Sequence, residues 1–425
     1  MDSLQKTLYE EIKRIPTLDI HSHIDAGAPV ALNLRELLGY HYFTELAHSA
    51  GLEASVVSRE TPDEIMLPRL VEAIDKIDNT VQYSWLIELA QTLFGFAEDR
   101  VTPDNWQSLA DAVKSAAERP GRAREILDAS SITKVYLTNN FDEDLSGIDG
   151  NMFVPCLRTD SLVMHWESED TRQSFEKATG GDGASVSSLN AGLDVLFSRF
   201  RDSGAASAAI SLPSDFTCRL VGDSELDTVL ARVASGAELS DSERDTLRVG
   251  IFYRIAEKCR QYRMPFQLMI GVIRGGYKHG VYQGMDLVVV GGSLSQYLDL
   301  FNRFPEVDFT VSILSMTQSQ ELACYGWILP NVKCSGHWWY ATVPSLIEQE
   351  LRNRLECVPK NKLIGYYSDM YKLEFGLPKL NMFRRVLSKI LAEDYVLSGR
   401  LSEEGAVDLA KLLMHDNAVE IFGEH

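Results

Sequence analysis

The chain is punctuated by short apolar, often β-branched runs that each end in polar or small residues. They are "TLDIHSH" from residue 17, "KVYLTNN" from 134, "FVPCLRTD" from 153, "AAISLP" from 208, "PFQLMIGVI" from 265, "VDFTVSIL" from 307, "VKCSGH" from 332 and "LIGYYSD" from 363. Near-continuous apolar runs suit strands covered on both faces, as in parallel sheets flanked by helices. Helical patterning fills most of the intervals: Leu226, Val229, Leu230 and Val233 form one apolar face, and Ser240 with Glu243 spells a capping box. Thr61-Pro62-Asp63-Glu64 reads as another start, with a threonine cap and proline in the first helical position. Eight runs alternating with helices predict an α/β fold, a (β/α)8 TIM-type barrel with polar residues gathered at the C-terminal ends of its strands. One link is anomalous: "FDEDLSGIDGNM" between the second and third runs is barely long enough for a parallel crossover, so an irregular return is expected there.

Residues 33–115 read as helical throughout and are taken as an insertion over the barrel mouth, leaving 1–32 and 116–425 for the barrel. No internal repeat or low-complexity tract interrupts this plan, and "GGDGAS" near residue 180 reads as a loop.

Composition narrows the partners. With 425 residues, 45% of them hydrophobic, the chain can bury a large core. Its 61 acidic against 41 basic residues give a net charge of -20, which repels nucleic acid and anionic membranes. A small anionic substrate would need arginine or lysine concentrated in a pocket. The start "MDSLQKTLYEEIKRIP" lacks the apolar core of a signal peptide, and no later run has the length of a membrane span, so a cytoplasmic location is expected. A homo-oligomer is compatible with the sequence. Six scattered cysteines lack CxxC spacing, and Cys334 reads as a buried thiol before it reads as a soft metal ligand.

His21 and His23 would share one face of the first strand, close enough to hold one cation, although core histidines give the same pattern. Asp369 ends the eighth run, which lies beside the first in a closed barrel, so the three side chains would meet at one rim. A helix cap is the other reading of Asp369.

Several segments together resemble the uronate (glucuronate) isomerase branch of the amidohydrolase superfamily: "GYHYFTELAHSAG", "YSWLIEL", "VYLTNNFDEDL", "VPCLRTD", "FQLMIGVIR", "GHWWY", "YYSDMY" and "MFRRVL", in the family's order and spanning nearly the whole chain. The resemblance implies conversion of a hexuronate such as glucuronate or galacturonate to its ketose, a proton moving between C2 and C1, with one divalent metal ion, zinc being expected. It implies His21, His23 and Asp369 as metal ligands, with Asp369 also a candidate base. His41 and Tyr42 match a His-Tyr pair over the substrate, Arg158 a carboxylate-binding arginine, and Trp338 and Trp339 the paired tryptophans after the seventh strand. Arg274, closing the fifth-strand run, is grouped with the substrate contacts. Plainer roles are a surface pair for His41 and Tyr42, an ion pair with Asp160 for Arg158, packing for the tryptophans, and a solvated loop for Lys278 and His279.

Two positions depart from the family pattern. Met269 stands where the family has a histidine, and Asp369-Met370-Tyr371 stands where it has Asp-Ser-Arg. A thioether is a poor ligand for a borderline ion and relays no proton. Tyr371 offers a phenol and Lys372 a cation near the lost arginine. Three activities stay open at this point: a divergent isomerase, a metal-dependent hydrolase acting on a lactone, ester or amide, and a catalytically silent sugar-acid binder.

Overall fold

The computed structural model describes residues 1 and 3–423. Its strands are β1 (Thr17–Asp19), β2 (Ile132–Tyr136), β3 (Asn139–Asn140), β4 (Phe153–Val154), β5 (Cys156–Arg158), β6 (Ser207–Pro213), β7 (Phe266–Ile273), β8 (Leu287–Val288), β9 (Phe309–Ile313), β10 (Val332–Ser335) and β11 (Leu363–Ile364). One parallel ladder runs β1-β2-β4 and a second runs β11-β10-β9-β7-β6-β5-β3, with β8 folded back antiparallel on β7. The ladders share two interrupted strands: β2 and β3 are parted at Leu137 and Thr138, β4 and β5 at Pro155, which has no N–H to give a ladder. The amide of Asp369 donates to the His21 carbonyl at 3.1 Å and that of His23 to the Met370 carbonyl at 2.8 Å, joining the last strand to the first. The architecture is that of a TIM-type (β/α)8 barrel, as the run pattern predicts.

β6, β7 and β9 are buried almost throughout, as strands covered on both faces must be. Helices follow the barrel strands, among them Val186–Asp202, Asp241–Tyr262, Ser319–Ile328, Pro344–Cys357 and Gly376–Ile390. The short link of residues 141–152 is turns without a helix, yet β2 and β4 stay parallel. Between β1 and β2 the regular structure is helical, including Leu34–Leu38, His41–Ser49, Asp63–Ile74, Val81–Phe94 and Trp106–Ala117.

The Ser240–Glu243 capping box forms, and the face of Leu226, Val229, Leu230 and Val233 is buried. The cap expected at Thr61 does not form: Pro62 occupies the N-cap, and the Thr61 hydroxyl donates to the Ser55 carbonyl at 2.8 Å. The helix starts at Asp63, one residue later than the pattern predicts, which places Thr61 outside the cap position. Among the described residues, no helix is long and apolar enough to cross a membrane.

Candidate metal centre and substrate cavity

His21 and His23 extend past β1, two residues apart, so both side chains leave the same face of the strand. Gln267, on β7, reaches His21 across the barrel interior. Its amide NH2 donates to the Ile20 carbonyl at 3.2 Å and to Ser207 Oγ at 2.9 Å, which leaves its carbonyl oxygen, 3.2 Å from His21 Nδ1, as the acceptor. Nδ1 therefore carries the proton and Nε2 the lone pair. The same logic holds for His23. The Thr138 hydroxyl gives its proton to the Ser22 carbonyl at 2.9 Å, so it accepts from His23 Nδ1 at 2.7 Å. Both imidazoles are thus held by partners on Nδ1, with Nε2 turned toward Asp369, the arrangement that orients histidine for a metal.

The two Nε2 atoms face Asp369 Oδ1 at 3.9 Å from His21 and 3.3 Å from His23. The three donor atoms lie within 4.8 Å of one another. His21 Nε2 and Asp369 Oδ1 are buried without a hydrogen-bond partner. Burial, reinforced by His23, lowers the His21 imidazole to about 4. Burial alone would raise the Asp369 carboxyl, but His23 beside it, with His21 and Lys379, holds it at about 2. Neither His21 nor Asp369 takes up a proton near neutral pH. Two imidazole nitrogens and a carboxylate oxygen converging in this way, two of the three buried without a hydrogen-bond partner, fit a cation, and two imidazoles with one carboxylate are a donor set that zinc accepts.

The cluster lies on the wall of a cavity of about 200 Å³. His41, Arg158, Arg274, Trp338, Trp339, Tyr371 and Met269 share that wall. Arg158 Nε lies 3.3 Å from Asp160, so the ion pair foreseen as its plain role exists, while the guanidinium still lines the cavity. Arg274 is held by Asp286 at 2.6 Å and by the Ser211 hydroxyl. Tyr371 stacks on His23, ring centres 4.9 Å apart. His41 turns Nδ1 to Glu45 at 2.8 Å, one helical turn on. Because a carboxylate only accepts, Nδ1 is the donor in this contact.

Two residues expected at the site stand outside the cavity wall. Tyr42 is buried beside Trp85, ring centres 5.7 Å apart, and its hydroxyl has no partner. Burial pushes its phenol well above the ordinary value, so it stays protonated. Lys372 points away: its ammonium donates to the Ala28 carbonyl at 2.8 Å and pairs with Glu36 at 2.8 Å. It supplies no cation to the wall where the family's arginine would stand. Cys334 is buried with its thiol toward the Leu322 carbonyl, as a structural thiol, and His279 stays on an exposed loop.

Residues that the sequence reading did not single out include Gln267, Thr138, Glu45 and Lys379. Gln267 had a signal, since a glutamine inside an apolar run buried on both faces requires polar partners. Lys379 had none; a lysine on an amphipathic helix ordinarily reads as solvated.

The sequence model of the family described as glucuronate isomerase matches residues 1–422. A uronate isomerase of Thermotoga maritima is 21% identical over 444 aligned residues, covering 98% of this chain and 96% of that protein. The crystal structure of uronate isomerase from Thermotoga maritima superposes with a TM-score of 0.90 at 19% identity, covering 99% of this chain and 98% of that one. That of glucuronate isomerase from Caulobacter crescentus gives 0.87 at 20% identity, covering 99% and 94%. With the match spanning nearly every residue of the barrel and its helices, the chain belongs to the glucuronate isomerase family.

Proposed function

We propose that this chain is a uronate isomerase, interconverting an open-chain hexuronate and its ketose by moving a proton between C2 and C1. Of the three activities the sequence leaves open, this is the one that membership of the family supports. The observation carrying the site assignment is the convergence of His21 Nε2, His23 Nε2 and Asp369 Oδ1 within 4.8 Å of one another, with His21 Nε2 and Asp369 Oδ1 buried and unpartnered. These residues would hold one divalent ion, zinc by donor type. When bound, the ion would polarise substrate oxygens and so acidify the neighbouring C–H bond.

The chain's own residues supply orientation and proton transfer. Arg158 offers a guanidinium fork to the substrate carboxylate, a planar bidentate match. Trp338 and Trp339 wall the cavity. His41, anchored by Glu45, presents Nε2 as the base that takes the C–H proton and returns it to the adjacent carbon, while the hydroxyl proton passes from O2 to O1 so that the carbonyl changes places. Asp369 serves as a ligand. The Tyr371 phenol, with burial pushing it above its ordinary value, remains a hydrogen-bond donor toward substrate oxygen. Met269 contributes apolar wall and no proton.

The test is proton NMR of the zinc-supplemented protein with glucuronate and with galacturonate in heavy water. Loss of the C2 proton signal together with ketose resonances is expected, and both should vanish in His41→Ala. A folded, zinc-loaded protein that exchanges neither sugar would overturn the assignment. Exchange persisting in His41→Ala would remove that histidine from the proton path.

A further inference from the structure

Asp369 presents its carboxylate from a backbone conformation that residues with side chains seldom adopt, φ +52°. Polar groups packed behind the cluster hold that turn. Lys379, on the helix Gly376–Ile390, is fully buried. Its ammonium donates to the Ser368 carbonyl at 2.7 Å and to the Tyr40 hydroxyl at 2.8 Å. Tyr40 in turn donates to the Asp369 carbonyl at 3.0 Å. Two successive carbonyls of the turn are therefore gripped, one by Lys379 directly and the next through Tyr40. On the other side, the Asp19 carboxylate accepts the Ser368 amide at 2.7 Å and the Ser368 hydroxyl.

Ring faces also surround the ammonium: it lies 5.1 Å from the ring centre of Tyr40 and 5.0 Å from those of Tyr42 and Trp85. A cation sealed among carbonyl, hydroxyl and ring faces is costly to bury, and an apolar side chain would fill the same space without that cost. Burial lowers Lys379 to about 8 against the pull of Asp369 and Asp19, so it remains mostly charged at neutral pH. What the charge does that an apolar residue would not is fix the direction of the Ser368 and Asp369 carbonyls, and with them the strained turn.

We propose that Lys379 is a positioning residue that, directly and through Tyr40, clamps the Ser368–Asp369 turn and keeps the Asp369 carboxylate aimed at the same point as His21 Nε2 and His23 Nε2. The proposal rests on the reading of those three residues as metal ligands. Tyr40 precedes His41, the base proposed above, so the same clamp ties the ligand turn to the helix carrying the proton carrier.

The experiment uses the full-length protein stripped of metal and reloaded, in wild-type form and as K379M, K379R, Y40F and D369A. Zinc affinity is measured by chelator competition, and the visible absorption of the cobalt-substituted protein reports ligand geometry. K379M should weaken zinc binding roughly 10- to 100-fold, the range for residues that orient metal ligands, and alter the cobalt band. K379R should recover most of both. Y40F, which keeps the ring and the nearby charge, should lose roughly threefold to tenfold, the worth of one hydrogen bond. A folded K379M with wild-type zinc affinity and cobalt spectrum, in a background where D369A loses the metal, overturns the proposal and leaves the ligand assignment standing. D369A that keeps wild-type affinity overturns the ligand assignment and the proposal with it. Should K379M not fold, Y40F decides: wild-type affinity and spectrum in that variant refute the clamp.

Discussion

Replacing Arg158 by methionine distinguishes an arginine that binds substrate from one that only balances Asp160. In the free protein its ion pair is a single Nε contact at 3.3 Å on a side chain 37% exposed, a geometry worth at most about 1 kcal/mol. Asp160 also accepts the Ser211 hydroxyl, so it keeps a partner in R158M. A substrate carboxylate in the guanidinium fork would gain two charged hydrogen bonds, each worth about 1.5–3 kcal/mol. Halving that sum for the water that reaches a partly exposed guanidinium leaves about 1.5–3 kcal/mol, or roughly 10- to 140-fold in kcat/KM at about 1.4 kcal/mol per tenfold. Because the carboxylate is remote from the bond changes at C1 and C2, the loss should appear chiefly as a raised KM. The assay is initial-rate kinetics on glucuronate, with ketose quantified by NMR, for wild type, R158M, D160N and the double variant. If Arg158 binds substrate, the double variant stays as impaired as R158M. A wild-type KM in R158M, or recovery of KM on adding D160N, would refute the carboxylate role and leave the ion pair as its function.

Two further outcomes follow from groups outside the cavity. Glu374 is buried, with one carboxyl oxygen accepting the Ala31 amide at 3.1 Å and the other unpartnered, and burial raises it to about 7. The unfolded chain releases this proton near the ordinary 4.5 and the folded chain only near 7, so wild type loses stability as pH rises through that window. Glu374→Gln should therefore gain on wild type between pH 5 and pH 8 by on the order of 3 kcal/mol in urea titrations; a pH-independent difference between the two would contradict this. At Gly336, φ is +32° and an added Cβ would lie 2.3 Å from the Tyr367 ring, just before the tryptophans of the cavity wall. Gly336→Ala should cost about 3 kcal/mol, read as a lowered midpoint in thermal melts, and an unchanged midpoint would show that the ring can move aside.

The features legible in the sequence are those that rest on local rules. "AAISLP", "PFQLMIGVI" and "VDFTVSIL" become β6, β7 and β9 because strands buried on both faces must be apolar throughout. The meeting of His21 and His23 with Asp369 was likewise legible, since strand parity fixes the first pair and barrel closure brings the last strand beside the first. Side-chain direction after Asp369 was not. The turn at φ +52° sends Tyr371 onto His23 while Lys372 leaves toward the Ala28 carbonyl, a split that residue spacing does not encode. The short strand β8 escaped for another reason: Leu287 and Val288 are exposed, and their pairing depends on the hairpin pinned by Arg274 and Asp286.

Lys379 marks the deeper limit. Its neighbours Tyr40, Ser368 and Trp85 come from three separate stretches of chain, and the helix that carries it is buried along most of its length, its exposed stripe taken by Arg385 and Lys389. From the sequence alone the residue looks solvated because lysine almost always is. In the fold, the same charge becomes informative because nothing about packing requires it. A buried cation directed at the carbonyl preceding the cluster's only carboxylate therefore links barrel stability to the geometry of the donor set. On this reasoning, Met269 and Tyr371 alter the wall of the cavity, whereas the convergence of donors depends on the residues packed behind it.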